Sequence, residues 1–290
     1  VDENGKVTAI KDGQTEITAW VTRNPKDVGE VKATCIVNVK GEFQYSVNND
    51  GTVTITGYTG TATEVTIPSQ IVGKTVTKIG DKAFESCMSL DSVTIPKGVI
   101  SIGDGAFLQC RNLKSITILE GLTTIGDYAF AQCSNLRSIT IPKGVTSIGA
   151  NAFLQCSNLG SITLAEGLTT IGGGAFYGCS SLESVTLSEG LTKIGSSAFM
   201  NCSNLKEIIA LSKSTEITFG SDWCKDLPVK ITCYKDSAFD KEAQNLGKEI
   251  NYIITNVTLN KSTRKLAENG TESLTETMNP AEANGTIKWS

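Results

Sequence analysis

Isoleucine followed by glycine recurs at Ile79, Ile102, Ile125, Ile148, Ile171 and Ile194, always 23 residues apart. Other columns keep the same register. They are Phe84, Phe107, Phe130, Phe153, Phe176 and Phe199; Cys87, Cys110, Cys133, Cys156, Cys179 and Cys202; and Leu90, Leu113, Leu136, Leu159, Leu182 and Leu205. A fixed period of this length is the signature of a solenoid. One copy has no second layer, so it must bury its apolar side against its neighbours.

Within a copy, "NLRSITI" alternates as a strand does, with Ile139 and Ile141 on one face and Ser138 and Thr140 on the other. Stacking such strands predicts a mostly β solenoid whose parallel sheet has rungs about 4.8 Å apart, six of them spanning roughly 30 Å. The opposite arm, "IGDYAF", turns at glycine and sends Ala129 and Phe130 inward.

Composition fits this architecture and removes several others. The 290 residues are rich in glycine and poor in aromatics, as suits β repeats. A net charge of -4 gives no reason to expect nucleic acid as a partner. No apolar run approaches a membrane span, and no charged-then-apolar leader follows Val1. Histidine is absent, which removes the commonest near-neutral acid–base residue and metal ligand. The stretches "GDG" and "GGGAF" lack the strand–loop–helix context of a phosphate loop. The reading is non-enzymatic, without cofactor or metal.

The pattern L-x-x-I-x-I, then proline or a small residue, then G-[VL]-x-x-I-G-x-x-A-F-x-x-C, resembles BspA-like leucine-rich repeats over residues 65 to about 210. Before it, "FQYSVNNDGTVTITGYTG" reads as a hairpin turning at Asp50-Gly51, with "TEVTIP" as an irregular first rung; together they make an N-terminal cap. After it, Ser237 opens a short helix whose Phe239, Ala243 and Leu246 share a face and which Gly247 stops. That helix and the strand "VKITCY" should shield the last rung.

The outermost segments are different. "GKVTAIKDGQTEITAWV" with "VKATCIVNVK" resembles the second half of a bacterial immunoglobulin-like domain of group 2. "NVTLNKSTRKLAENG" through "GTIKWS" resembles the first half. The chain therefore divides into 1–40, a partial β-sandwich segment; 41–78, the hairpin cap and first rung; 79–216, the repeats; 217–254, the C-terminal cap; and 255–290, a second partial segment. Such domains commonly act as extracellular spacers, so the resemblance implies an extracellular or bacterial cell-surface location. Two complementary halves also predict head-to-tail self-association between copies.

The cysteine column invites a chemical reading. A metal needs ligands converging on one point, whereas these stand in a line without any C-x-x-C. Disulfides between rungs are within reach, but parallel Cβ vectors give a poor dihedral. This leaves thiols packed as small apolar groups, with Cys35 another core residue and only Cys224 with Cys233 a candidate bridge. On this reading Cys133→Ser buries a hydroxyl without an assured partner. Asn112, Asn135, Asn158 and Asn204, with Ser89 and Ser181 in the same column, are expected to satisfy backbone groups at a turn. Lys97, Glu120, Lys143, Glu166 and Glu189 set mostly opposite charges side by side.

The outward sheet face is the candidate binding surface. It presents Ser92, Ser115, Ser138, Ser161 and Ser184 in one column and Thr94, Thr117, Thr140, Thr163 and Thr186 in another, beside Asp91, Lys114, Arg137, Gly160, Glu183 and Lys206. The residues singled out are Lys114, Ser115, Thr117, Arg137, Ser138, Thr140 and Thr163. The family resemblance implies adhesion to a host or community extracellular protein. A glycan is the rival ligand and a passive spacer the third reading. The lack of aromatics in these columns favours protein.

Overall fold

The computed structural model describes residues 41–253 in full, and the strands Gly13–Val21, Val31–Val39, Asn256–Leu259 and Glu276–Asn279 by their pairing. The first two strands form one antiparallel hairpin and the last two another. The remainder of both flanks lies outside the described residues. So do the immunoglobulin-like reading, the side chain of Cys35 and the head-to-tail pairing.

Between the hairpins runs the solenoid. On its main face, Glu64–Thr66, Ser92–Ile95, Ser115–Ile118, Ser138–Thr140 and Ser161–Thr163 stack in parallel. Like residues meet: Ser115 faces Ser92 and Ser138, while Thr140 faces Thr163. Ser184–Leu187, Glu207–Ala210, Lys230–Cys233 and Glu249–Tyr252 form a second parallel group. The sheet is thus divided between Thr163 and Ser184 rather than continuous. Gly160 stands just before the last strand of the first group, in the column otherwise held by side chains such as Lys114 and Arg137. A glycine there weakens strand pairing.

The Ile-Gly arm is more regular than a simple turn. Ser101–Ile102, Thr124–Ile125, Ser147–Ile148, Thr170–Ile171, Lys193–Ile194 and Thr218–Phe219 stack as two-residue strands in a second parallel sheet. Lys74–Ile79 and the cap hairpin, Phe43–Val47 with Val53–Tyr58, continue it at the N-terminal end. The glycine of each pair is needed for closeness. A Cβ on Gly149 would lie 2.5 Å from the carbonyl carbon of Gly126.

A third arm carries the phenylalanines. The Phe107 amide donates to the Ala129 carbonyl of the next rung at 2.7 Å, and Phe130 does the same to Ala152 at 2.8 Å. This pairing requires left-handed backbone twice per repeat. Lys82, Gly105, Tyr128, Asn151, Gly174 and Ser197 hold one such position; Ser86, Gln109, Gln132, Gln155, Gly178 and Asn201 hold the other. The six buried phenylalanine rings stack with centroids 4.9–5.4 Å apart and planes within 13° of parallel. Offset stacking at this range adds to their burial.

Both ends of the stack are covered. Tyr58 stacks on Phe84 at 5.2 Å, closing the N-terminal end under the predicted hairpin. At the other end Trp223 meets Phe199 edge-on at 6.3 Å and Phe239 at 6.2 Å. Phe239 and Ala243 come from the predicted helix, Ala238–Asn245, whose N-cap Ser237 accepts the Asp240 amide. Gly247 follows with φ +62°. The Trp223 indole donates to Glu242 of the helix at 3.2 Å, and Tyr252 donates to the buried Asp240 at 3.1 Å, tying lid and last strand together.

Rung closeness makes a graded prediction. Gly149→Ala should destabilise strongly, by about 2 kcal/mol or more, because backbone rather than a flexible side chain must move. At Gly190, where the nearest atom to an added Cβ is 3.9 Å away, alanine should change stability by under about 0.5 kcal/mol. Urea unfolding of the two variants measures the contrast.

Candidate interaction surface

All seven residues singled out on the sheet face are brought together and exposed. Ser115, Thr117, Ser138, Thr140 and Thr163 lie on three adjacent strands, with Lys114 and Arg137 one residue before two of them. Lys114 is held by Asp91 of the preceding rung at 2.8 Å. No ion pair forms at Arg137 among the described residues.

Some hydroxyls at the edges and turns bond to the adjacent rung. Thr123 donates to the Ile100 carbonyl at 2.8 Å, Thr169 to Thr146 at 3.0 Å and Thr192 to Thr169 at 3.1 Å. Ser157 and Ser180 likewise reach back to Ser134 and Ser157. These side chains stitch rungs together at edges and turns. Those of Ser115, Thr117, Ser138, Thr140, Ser161, Thr163, Ser184 and Thr186 make no hydrogen bond among the described residues. The fold does not use them.

Other polar columns serve the solenoid, and the sequence showed only part of this. Asn112 donates to the Met88 carbonyl at 2.7 Å, as expected of its column, whereas Asn158 donates to the Asn135 side chain at 3.1 Å. Asp81 accepts the Asp104 amide, Asp104 that of Asp127 and Asp127 that of Ala150, at 2.6–2.9 Å. This aspartate ladder was not anticipated; the spacing of Asp81, Asp104 and Asp127 was its only signal. In the charged column, Lys143 and Glu166 pair at 3.5 Å, both above 80% exposed, so the contact contributes little.

The cysteines are core residues with a bonding role beyond packing. Cys133 donates to the Phe107 carbonyl at 3.2 Å, and Cys110, Cys156, Cys179 and Cys202 repeat the contact at 2.9–3.2 Å. A hydroxyl at 133 would therefore find an acceptor, contrary to expectation, and Cys133→Ser should cost under about 1 kcal/mol. Cys87, first of its column, also departs from expectation, being half-buried. Cys224 and Cys233 are both free and buried.

Burial pushes the Cys133 and Cys202 thiols up to about 12, and Cys156 and Cys179 well above the ordinary value. Cys110 is raised by the neighbouring Cys87 and by burial, while the same contact lowers Cys87.

With this geometry the comparisons are decisive. The BspA type leucine rich repeat region matches residues 58–163 and 123–221, in six copies. The chain belongs to the BspA-type leucine-rich-repeat family. A leucine rich repeat protein of T. pallidum of known crystal structure is 32% identical, over 72% of this chain and 95% of that one, with a TM-score of 0.63. A leucine rich cell surface protein of Faecalibacterium prausnitzii is 34% identical over 61% of this chain and 55% of that one, with a TM-score of 0.48. Curated proteins give no match. As a BspA-type repeat protein the chain is a leucine-rich-repeat scaffold, which points to an interaction or surface module. No helix among the described residues is long and apolar enough to cross a membrane.

The raised thiols of the BspA-type repeats set the pH response. Unfolded thiols ionise near 9.0 and the buried ones higher, so their contribution is complete below about pH 9 and is lost as pH rises toward 12. The melting temperature should stay flat from about pH 5.5 to 8, where no histidine titrates, and fall above about pH 9. Cys133→Ser should make that fall shallower, because serine does not ionise. A marked change between pH 5.5 and 8 would contradict this assignment. Native thiol labelling should modify Cys87 before any other residue of its column.

Proposed function

We propose that this chain is a non-enzymatic adhesion or interaction module, displayed on a bacterial cell surface or secreted, that binds an extracellular protein of a host or neighbouring cell. Its contact surface is the main sheet face around Lys114, Ser115, Thr117, Arg137, Ser138, Thr140 and Thr163. One observation carries the reading: the hydroxyls of this face, in two adjacent columns on ordered strands, make no hydrogen bond among the described residues and remain available to a partner. Ordered strands hold them in place, so little conformational entropy is lost when a partner docks. Arg137 adds an uncommitted cation, of the residue type enriched in protein interfaces. The flanking hairpins fit the part of spacers that hold this face away from the cell.

The test is a triple substitution, Lys114→Ala, Arg137→Ala and Thr140→Ala, assayed against immobilised extracellular-matrix proteins. Binding should weaken at least tenfold, while the melting temperature falls by no more than a few degrees. Unchanged affinity would move the site off the sheet face.

A further inference from the structure

The cysteine column has one member unlike the rest. From Cys110 to Cys202 every residue is fully buried and its sulfur is held twice by the rung before it. Each thiol donates to a phenylalanine carbonyl, and each sulfur accepts the amide of the preceding cysteine. Cys87 opens the column. Residues 41–86 contain no cysteine to stand behind it, and its thiol donates to no carbonyl among the described residues. It is half-buried, and Met88 beside it is 43% exposed, so small solutes reach this turn.

The Cys87 sulfur turns instead to the next rung. Cys110 donates to the Phe84 carbonyl at 2.9 Å, the same oxygen that accepts the Cys87 amide at 3.2 Å. The Cys110 sulfur thus lies against Cys87, and the two thiols share a hydrogen bond. No other neighbouring pair of the column is joined thiol to thiol among the described residues. The rung spacing, about 4.8 Å, falls within the Cα separation that a disulfide accepts. Deeper in the stack, two backbone bonds hold each sulfur in the parallel arrangement that gives a poor dihedral. Cys87 is not held in this way, so rotation about its Cα–Cβ bond is free to reach a good one. Its hydrogen bond from Cys110 also keeps the Cys87 thiol below the ordinary value, against the opposing effect of burial, and so favours the thiolate. An accessible thiolate next to a second thiol is the arrangement of an oxidant-reactive cysteine and its resolving partner.

We infer that Cys87 and Cys110 are a redox pair: hydrogen peroxide oxidises Cys87, and Cys110 resolves the product as a disulfide between their two rungs. Peroxide is small enough to reach a half-buried sulfur. An S–O bond forms at Cys87 as the O–O bond breaks. The departing hydroxide takes up the proton given up by the Cys87 thiol, leaving a sulfenic acid and water. The Cys110 sulfur then attacks the Cys87 sulfur, so that the S–S bond forms and the S–O bond breaks. The Cys110 proton leaves with that hydroxide as a second water. Two electrons pass from the thiols to the peroxide. The link fastens the rung on which the N-terminal cap rests, since Tyr58 covers Phe84 there.

The full chain, reduced and freed of reductant, would be treated with a small excess of hydrogen peroxide, denatured in N-ethylmaleimide and digested with trypsin. Cys87 lies in the peptide 83–97 and Cys110 in 98–111, so the bond is seen by mass spectrometry as a joined pair that dithiothreitol separates. It should form in most molecules while Cys133 stays a free thiol. Cys110→Ser, whose hydroxyl takes over the bond to Phe84, should halt the reaction at a sulfenic acid on Cys87 that dimedone captures. Cys87→Ser should leave Cys110 unoxidised. A parent chain in which Cys87 stays reduced, or passes to sulfinic acid with Cys110 still free, would overturn the inference. So would a disulfide that joins two molecules instead of two rungs.

Discussion

Backbone pairing from one rung to the next, on three arms at once, is the constraint on which the rest of the molecule depends. It fixes neighbouring copies at strand spacing, about 4.8 Å, so a residue kept in every copy meets its own kind in the next rung. For phenylalanine this is favourable, and the rings stack from Phe84 to Phe199. For glycine it is compulsory, because the chain at Gly149 passes too close to Gly126 for any side chain. For cysteine it places the thiols from Cys110 to Cys202 against the carbonyl of the phenylalanine one rung back, turning a buried group into a bonded one. A stack of this kind has two open ends, and Tyr58 and Trp223 close them.

The same constraint sorts the polar columns. A row of like hydroxyls or carboxylates in a solenoid either reaches a backbone group of the adjacent rung or faces water. Asp81, Asp104 and Asp127 do the first, as do Thr123, Thr169 and Thr192. The serines and threonines of the main sheet do the second. Perpendicular side chains on a strand point away from their own backbone, so hydroxyl columns on both parallel sheets, Thr117 and Thr140 on one and Thr124 and Ser147 on the other, are not drawn to the rungs' backbone. That geometry leaves the sheet-face columns without a role in holding the rungs together.

Much of this was legible in the sequence because a 23-residue period is hard to produce in any other way. The solenoid, the inward Ile139 and Phe130, the hairpin at Asp50-Gly51 and the helix after Ser237 all follow from pattern and turn chemistry. The Ile-Gly sheet was hidden because two residues per strand are too few to show alternation. The left-handed positions were hidden because Lys82, Tyr128 and Gln132 fill them, leaving Gly105, Gly174 and Gly178 as the only hints. Periodicity shows that Cys133 is buried but not that it donates to Phe107. On the sheet face it shows which residues point outward. It does not reveal that their hydroxyls are unused, since this depends on what every other hydroxyl is bonded to.

The division between rung-binding and uncommitted hydroxyls can be measured within a single repeat. Thr117 lies on the sheet face without a partner, and Thr123, six residues later, donates to the Ile100 carbonyl at 2.8 Å. Valine keeps the branched shape of threonine and removes only the hydrogen bond. Urea unfolding of Thr117→Val should leave stability unchanged or slightly raised, whereas Thr123→Val should lower it by about 1 kcal/mol. Equal losses at the two positions, or a larger one at Thr117, would contradict the account.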